Sequence, residues 1–355
     1  MGQGWRVTRA ETIRRTRAAA AADLPYGAVM ATAGASTLAG LCGLPALIAP
    51  LLALAALQAA SVAASAAQKY RHSRRLFWPA VGPPDAHTGI HTVPLGLAVI
   101  AGGFANLDGA AVPQLAWALF GLTWLLACVY IGRFVWSLAT RGLELERVDG
   151  AWFLVPAALL GAALATLDIL ALAPGSSRRA LVLLALVGAA SGWLGYWAVA
   201  VPAALRVGRF GLLGAPQAPW WIAMGCAGLA AAATGDVLER GAPWPPALHA
   251  ALAWATGATI LVAIALCVPV FAGSAAFLMR RCRFRDAGAW PPTFSTAVFA
   301  LGCLEAGTVL QSPALRMLGF AAGIATLVLW IGTAGWNAAR WAIARVTRHD
   351  GTDAR

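Results

Sequence analysis

The chain of 355 residues is 60% hydrophobic and only 11% charged, and its mean hydropathy is +0.72. Such a chain cannot cover its apolar surface with polar groups, so the composition excludes a soluble globular protein and indicates a polytopic membrane protein. The net charge of +12 comes from basic residues in short loops and tails, which indicates membrane orientation and does not indicate nucleic-acid binding.

Ten apolar stretches follow one another along the chain, each about as long as a bilayer span requires. They predict an all-α integral membrane protein, with a basic cytoplasmic tail over 1–23, a ten-helix transmembrane pore domain over 24–337 and a cytoplasmic tail over 338–355. The loops leave no room for a soluble catalytic domain, so no enzyme activity is expected. The predicted spans are 24–43, 45–67, 89–107, 113–136, 151–173, 180–204, 219–238, 247–273, 292–311 and 314–337.

The distribution of basic residues predicts the orientation of these spans, because Lys and Arg in short loops are held on the cytoplasmic side. Nearly all of the 26 Lys and Arg residues lie in the two tails or after an even-numbered span. Both termini are therefore predicted to be cytoplasmic, in a multi-pass protein of the cell inner (plasma) membrane. The exceptions are Arg178, Arg179, Arg240 and Arg316.

The spans fall into five hairpins, with tight turns on one side and longer basic loops on the other. The first helix of each hairpin opens with Pro, Gly or an aromatic residue, as in "DLPYGAVMATAG" and "WPPTFSTAVFALG", and a glycine recurs within it. One hairpin repeated five times is the simplest account. The recurring glycines are Gly34, Gly96, Gly161, Gly225 and Gly302, spaced 62, 65, 64 and 77 residues apart.

Small residues repeated in this way have two physical explanations. Gly and Ala let helix backbones approach closely where lipid supplies no hydrophobic drive. Pro and Gly also interrupt spans where a lined pathway can satisfy the freed backbone groups. We expect both here, with the odd-numbered helices as an inner ring around a central pore and the even-numbered helices as an outer ring.

The chain resembles the tellurite-resistance and C4-dicarboxylate transporter family, which includes the plant slow-type guard-cell anion channels. The resemblance runs from about Leu24 to Trp336 and rests on "LPYGAVMATAG", "HTVPLGLAV", "DGAWFLVPAALLGAA", "PWWIAMGCAGLAAA" and above all "FSTAVFALGCLEAGT". It implies ten helices in five hairpins, a pore lined by the odd helices and a homotrimer with one pore per subunit. Residues expected to line the pore are Gly27, Gly34, His91, Pro94, Gly96, Pro156, Gly225 and Gly302.

In that family a phenylalanine on the ninth helix plugs the pore, and the resemblance matches it to Phe299. If the ninth span begins near Pro291, Phe299 lies about 12 Å along the helix, close to the middle of a hydrocarbon core about 30 Å thick. Residue type alone favours a packed core phenylalanine. The family motif together with this depth predicts a gate.

Three acidic residues lie near the outer ends of odd spans, and an ionisable group at that depth is a candidate functional group. Glu305 and Asp168 are the candidate proton or selectivity residues, although a hydrated position near the interface is an alternative for Glu305. For Asp236 the hydrated position is preferred. His91 is the only histidine within an odd span, where a polar contact to a neighbouring helix is the expected role.

Three classes of function were weighed, and an anion channel or facilitator gated by Phe299 ranks first. A proton-coupled exporter of tellurite, sulfite or C4-dicarboxylates using Glu305 is the alternative. An intramembrane enzyme or scaffold ranks last, because no nucleophile, base or metal ligands cluster in the sequence. No cofactor is expected, and the six scattered cysteines predict neither disulfides nor a zinc site. The transported anion stays open.

Overall fold

The computed structural model describes residues 26–72, 91–107, 112–211, 218–241, 243–281 and 290–349. This part of the chain forms ten α-helices joined by turns and short 3-10 segments, which confirms the predicted all-α fold of five hairpins. Each helix overlaps one predicted span. They are α1 (Tyr26–Leu41), α2 (Ile48–His72), α3 (Thr92–Ala105), α4 (Val112–Arg141), α5 (Leu154–Ile169), α6 (Gly175–Phe210), α7 (Trp221–Arg240), α8 (Pro246–Arg281), α9 (Trp290–Val309) and α10 (Pro313–His349).

The even-numbered helices are longer than predicted, because their basic ends continue as helix beyond the apolar stretch. The clearest case is α10, which runs on to His349 from the predicted end at 337. Arginine is a good helix former, and its long stem lets the charged head reach water. A basic segment can therefore extend a helix without ending it. Most of the predicted C-terminal tail is therefore a continuation of α10.

Membrane-spanning character is not equal among the helices. Within the described residues, seven helical segments are long and apolar enough to cross a membrane, while the helices at 27–41 and 92–105 are apolar but shorter. Helix α9, which carries Glu305 and several hydroxyl side chains, does not reach the same hydropathy. Inner helices tolerate this because they face other helices rather than lipid.

The odd-numbered helices form a closed inner ring, in which α1 contacts α3, α3 contacts α5, α5 contacts α7, α7 contacts α9 and α9 returns to α1. Each even-numbered helix packs outside this ring, on its own hairpin partner and on the next odd helix. Of the most apolar 18 residues, 94% are buried in α7, against 17% in α10. The predicted arrangement of inner odd and outer even helices is therefore present.

Close contacts through glycine set the register of the inner ring. A Cβ added to Gly27 would lie 3.1 Å from the Cβ of Trp290, and one added to Gly34 would lie 3.2 Å from that of Ala297. Residue numbers thus rise together on α1 and α9, which means that the two helices run parallel. All five odd helices run in the same direction, as a repeated hairpin requires.

Indole groups of the outer helices tie the two rings together. Trp124 Nε1 of α4 donates to Thr166 Oγ1 of α5 over 3.0 Å, and Trp330 Nε1 of α10 donates to Thr32 Oγ1 of α1 over 3.0 Å. A buried indole N–H needs an acceptor, and a hydroxyl on the neighbouring inner helix supplies one. Each bond joins the last helix of one hairpin to the first helix of the next hairpin around the ring.

Candidate functional site

A cavity of about 300 Å³ lies among the inner helices, mostly towards their C-terminal ends. Residues from all five odd helices line it, so it lies on the axis of the ring. Most of the lining is small or aliphatic, and the charged and polar groups gather towards the C-terminal ends of the helices. The lining residues used below are Gly34, Asn106, Asp168, Asp236, Arg240, Phe294, Val298, Leu301 and Glu305.

One face of α9 borders this cavity. Phe294, Val298, Leu301 and Glu305 follow the spacing of a single helix face and all line it. From Phe294 to Glu305 this face extends about 16 Å at 1.5 Å per residue. Every other lining residue of α9 lies on the C-terminal side of Phe294. The phenylalanine therefore stands at the end of the cavity nearest the N-termini of the odd helices, which is its inner end.

Phe299 lies on a different face of the same helix. It is five residues from Phe294, which turns it by roughly 140°, and it is not among the residues that line this cavity. A Cβ added to Gly228 would lie 2.7 Å from the Cα of Phe299, so Phe299 sits where α9 packs on α7. Both phenylalanines are buried.

Four charged side chains meet at the other end of the cavity. Arg240 Nη1 donates to Asp168 Oδ1 over 3.2 Å, and Arg240 Nε lies 2.5 Å from Asp236 Oδ1. Asp236 is 4% exposed, so the hydrated surface position expected for it is wrong. Glu305 lines the same cavity and makes no ion pair or hydrogen bond within the described residues. The structure therefore brings together Asp168, Asp236 and Glu305 from three helices.

The sequence did not single out Arg240, which is the central residue of this cluster. In the sequence, Arg240 was noted only as one of the four basic residues that depart from the distribution used to predict orientation. The available signal was the spacing of Asp236 and Arg240, since residues four apart share a helix face and an opposite-charge pair there is favourable. Its partner Asp168 lies 72 residues away, and no local pattern reveals that contact.

The residues predicted to line the pore divide between the cavity and helix packing. Gly34 lines the cavity. Gly27, Gly96, Gly225 and Gly302 instead face neighbouring inner helices: an added Cβ would meet Trp290, Val29, Ser295 and the backbone of Gly228 respectively. Their common property is close packing against a neighbouring inner helix, and at Gly225 and Gly302 the added Cβ would meet backbone atoms of that helix.

Pro94 and Pro156 do not interrupt their helices. Each lies at the third residue of its helix, in α3 and α5 respectively, where no backbone hydrogen bond within the helix is lost. A Cβ added to Gly195 of α6 would lie 3.2 Å from the Cβ of Pro156. Pro156 therefore packs towards the outer ring, and neither proline is among the residues lining this cavity.

His91 lies at the start of α3 and faces the outer helix α4. Its ring centroid is 5.9 Å from that of Tyr130 and 6.2 Å from that of Phe134, edge-on to both. His91 is 4% exposed, and its Nδ1 has no hydrogen-bond partner among the residues that the structure describes. His91 therefore contacts a neighbouring helix through its ring, and the polar contact expected from the sequence is not seen within the described residues.

The start of the α5 segment is held by a side-chain cap. Asp149 Oδ1 accepts a hydrogen bond of 2.9 Å from Ala151 N at the beginning of a 3-10 turn that leads into α5. Burial raises the pKa of this carboxyl above its ordinary value, while the Ala151 N–H and the charge of Arg206 act in the opposite direction.

Among the described residues, no group of three His, Cys, Asp or Glu could hold a metal ion.

A ring of parallel inner helices around an axial cavity, surrounded by apolar outer helices, defines a multi-pass membrane protein of the channel or transporter class. A family model described as voltage-dependent anion channel (SLAC1) matches residues 25–336, which is most of the chain. The chain belongs to this family, and the resemblance seen in its sequence is confirmed. Members are channels or transporters, so the family indicates anion transport across a membrane. Comparison with curated proteins gives no match.

Proposed function

We propose that the protein is a channel or facilitator that conducts small inorganic or carboxylate anions along the axis of its inner ring. The observation that carries this proposal is the axial cavity, to which all five odd helices contribute. Most of its lining is small or aliphatic, and the charged groups stand at one end. A narrow path of this kind passes small solutes. A solute that enters from the charged end meets those charges before it reaches the aliphatic part.

We propose further that an aromatic side chain of α9 closes the path at the inner end of the cavity. An ion that enters a narrow apolar passage loses hydration without gaining a partner, so an aromatic ring there is an effective barrier. The position of Phe294 in the cavity supports this residue as the barrier. The gate assigned to Phe299 by resemblance stays a prediction, and variants of the two residues separate the alternatives.

A proton-coupled exporter is the second candidate, because Glu305 faces the cavity without an ion-pair partner within the described residues. An ionisable group in such a position is a candidate proton carrier, with Asp168 as the nearby second acid. Tellurite, sulfite and C4-dicarboxylates are the substrates that the family resemblance suggests. This candidate and the channel differ in whether a proton gradient does work on the anion.

The reversal potential distinguishes the two functions. In a planar bilayer holding the purified full-length protein, we expect the reversal potential to follow a chloride or nitrate gradient and to stay unchanged when a pH gradient is imposed. Glu305→Gln should keep this behaviour. A reversal potential that moves with the pH gradient, together with loss of transport in Glu305→Gln, would contradict the channel and support coupled export.

We infer from the positions of the basic residues that both termini are cytoplasmic, that the protein resides in the inner (plasma) membrane and that the C-terminal ends of the odd helices face outward. Reporter fusions after Arg75, Arg147, Arg209 and Arg285 should then all report a cytoplasmic position, because basic loops stay on that side. A fusion after Arg178, in the first turn of α6, is the matched control and should report the outside. Any one of the first four found outside breaks the proposed orientation.

We also propose a homotrimer, as the family resemblance implies. Large apolar side chains on the outer helices, such as Trp136, Trp254 and Met317, are more than half exposed in the single chain. Lipid or neighbouring subunits cover such surfaces in a membrane.

A further inference from the structure

Arg240 is the one basic side chain among the described residues that line the cavity. It is also central to the charge cluster, since it contacts Asp168 of α5 and Asp236 of its own helix. Its side chain is 45% exposed, whereas those of Asp168 and Asp236 are 25% and 6% exposed. The guanidinium is therefore held between two carboxylates and still faces open space.

The two carboxylates do not use all the donors of Arg240. A guanidinium has five N–H groups, and the contacts seen involve Nε and Nη1 only. Within the described residues the Nη2 amino group has no partner. An anion can thus reach Arg240, but it meets a group whose charge is already shared with two internal carboxylates.

The position of Asp168 is built into the packing. A Cβ added to Gly102 of α3 would overlap Asp168 Oδ2, so only a glycine there lets the carboxylate lie against α3. Asn106, at the C-terminal cap of α3, donates from Nδ2 to Gly102 O over 2.9 Å and lines the same cavity as Asp168. The packing against Gly102 holds the acid beside Arg240, where it occupies the position that a carboxylate from solution would take.

We propose that Arg240 is the anion-binding residue at this end of the cavity and that Asp168 and Asp236 are internal competitors, which an entering anion must displace. This role rests on the proposed anion conduction, and it makes Arg240 the residue that determines how conductance depends on anion concentration. Removing one competitor frees a donor group of the guanidinium, so anions bind at lower concentration. Removing Arg240 leaves three carboxylates and no cation, so anions bind only at higher concentration.

The experiment measures conductance of the full-length protein in planar bilayers against chloride and, separately, nitrate concentration. Asp168→Asn should lower the half-saturating concentration about fivefold, which corresponds to about 1 kcal/mol. Arg240→Gln should raise it. In the double variant Asp168→Asn with Arg240→Gln, the effect of the Asp168 change should disappear, because the competition acts only through Arg240.

Glu305→Gln is the matched control. It removes one negative charge from the same cavity without removing a contact of Arg240. Glu305 acts on Arg240 through its charge alone, so its effect should depend on Arg240 less than that of Asp168→Asn does. If the effects of the two variants depend on Arg240 equally, general electrostatics explains both and competition is wrong. An unchanged half-saturating concentration in Arg240→Gln overturns the proposal by itself.

Two further readouts keep the outcome unambiguous. If Asp168→Asn does not give a folded protein by size-exclusion chromatography, Asp236→Asn removes the other contact and should give the same decrease. A wild-type protein that conducts neither chloride nor nitrate contradicts the proposed function itself. Wild-type conduction with no change in these variants contradicts only the role of Arg240.

Discussion

Gly302→Ala is expected to destabilise the protein by about 3 kcal/mol, the upper part of the usual range for overpacking. The added Cβ would overlap the carbonyl oxygen of Gly228 and lie 2.8 Å from its carbonyl carbon, where α9 crosses α7. Backbone atoms cannot turn aside as a flexible side chain does, so the two inner helices must separate. We expect a lower thermal midpoint in detergent and a reduced yield of folded protein.

Gly121→Ala is the control for this change. Gly121 lies on the outer helix α4, and a Cβ added there would have no atom within 4 Å. Alanine favours a helix over glycine by up to about 1 kcal/mol, so the thermal midpoint should stay the same or rise. If Gly302→Ala melts at the wild-type temperature, the contact between α7 and α9 is looser than the structure indicates.

Phe294→Ala is expected to raise anion conductance on the order of tenfold, since lowering a barrier by about 1.4 kcal/mol has that effect. The ring stands at the inner end of the axial cavity, and its removal widens the apolar passage there. Conductance of the purified protein in planar bilayers checks this expectation. Expression and thermal midpoint are measured beside it, because loss of a buried phenylalanine costs about 3 to 5 kcal/mol in soluble proteins.

Phe299→Ala is the matched comparison, with the same substitution on the same helix. The side chain of Phe299 is buried and does not line this cavity, so its removal should lower stability and leave conductance near the wild-type value. The opposite result, with high conductance in Phe299→Ala and none in Phe294→Ala, would support the gate assigned by resemblance. Equal conductance in wild type and both variants would exclude an aromatic barrier at either position.

Much of the fold could be predicted because apolar length and basic loops are local properties of the chain. The hairpin repeat then suggested which helices lie inside, and the closed ring of odd helices agrees with it. The ends of the helices were harder to predict from the sequence. The prediction ended α10 where the apolar residues end, but nothing in the sequence there breaks a helix, and it continues to His349.

The site was harder to predict, because it depends on helix rotation. A span of 20 apolar residues has no strong polar face to show which side is turned inward, and Phe294 and Phe299 are the same residue type on the same helix. A difference of roughly 140° between them decides which one borders the cavity. Arg240 was missed for a related reason, since its contact with Asp168 requires two helices to be placed first.

The bond from Trp330 to Thr32 joins the tenth helix to the first. In the order of synthesis, α1 enters the membrane before any other span, yet two of the helices that pack on it, α9 and α10, are made last. Until then the face of α1 that carries Gly34 has no α9 beside it, and lipid or a temporary partner must cover that face. The last hairpin thus completes the assembly of the first, and a nascent chain that lacks it has an open ring.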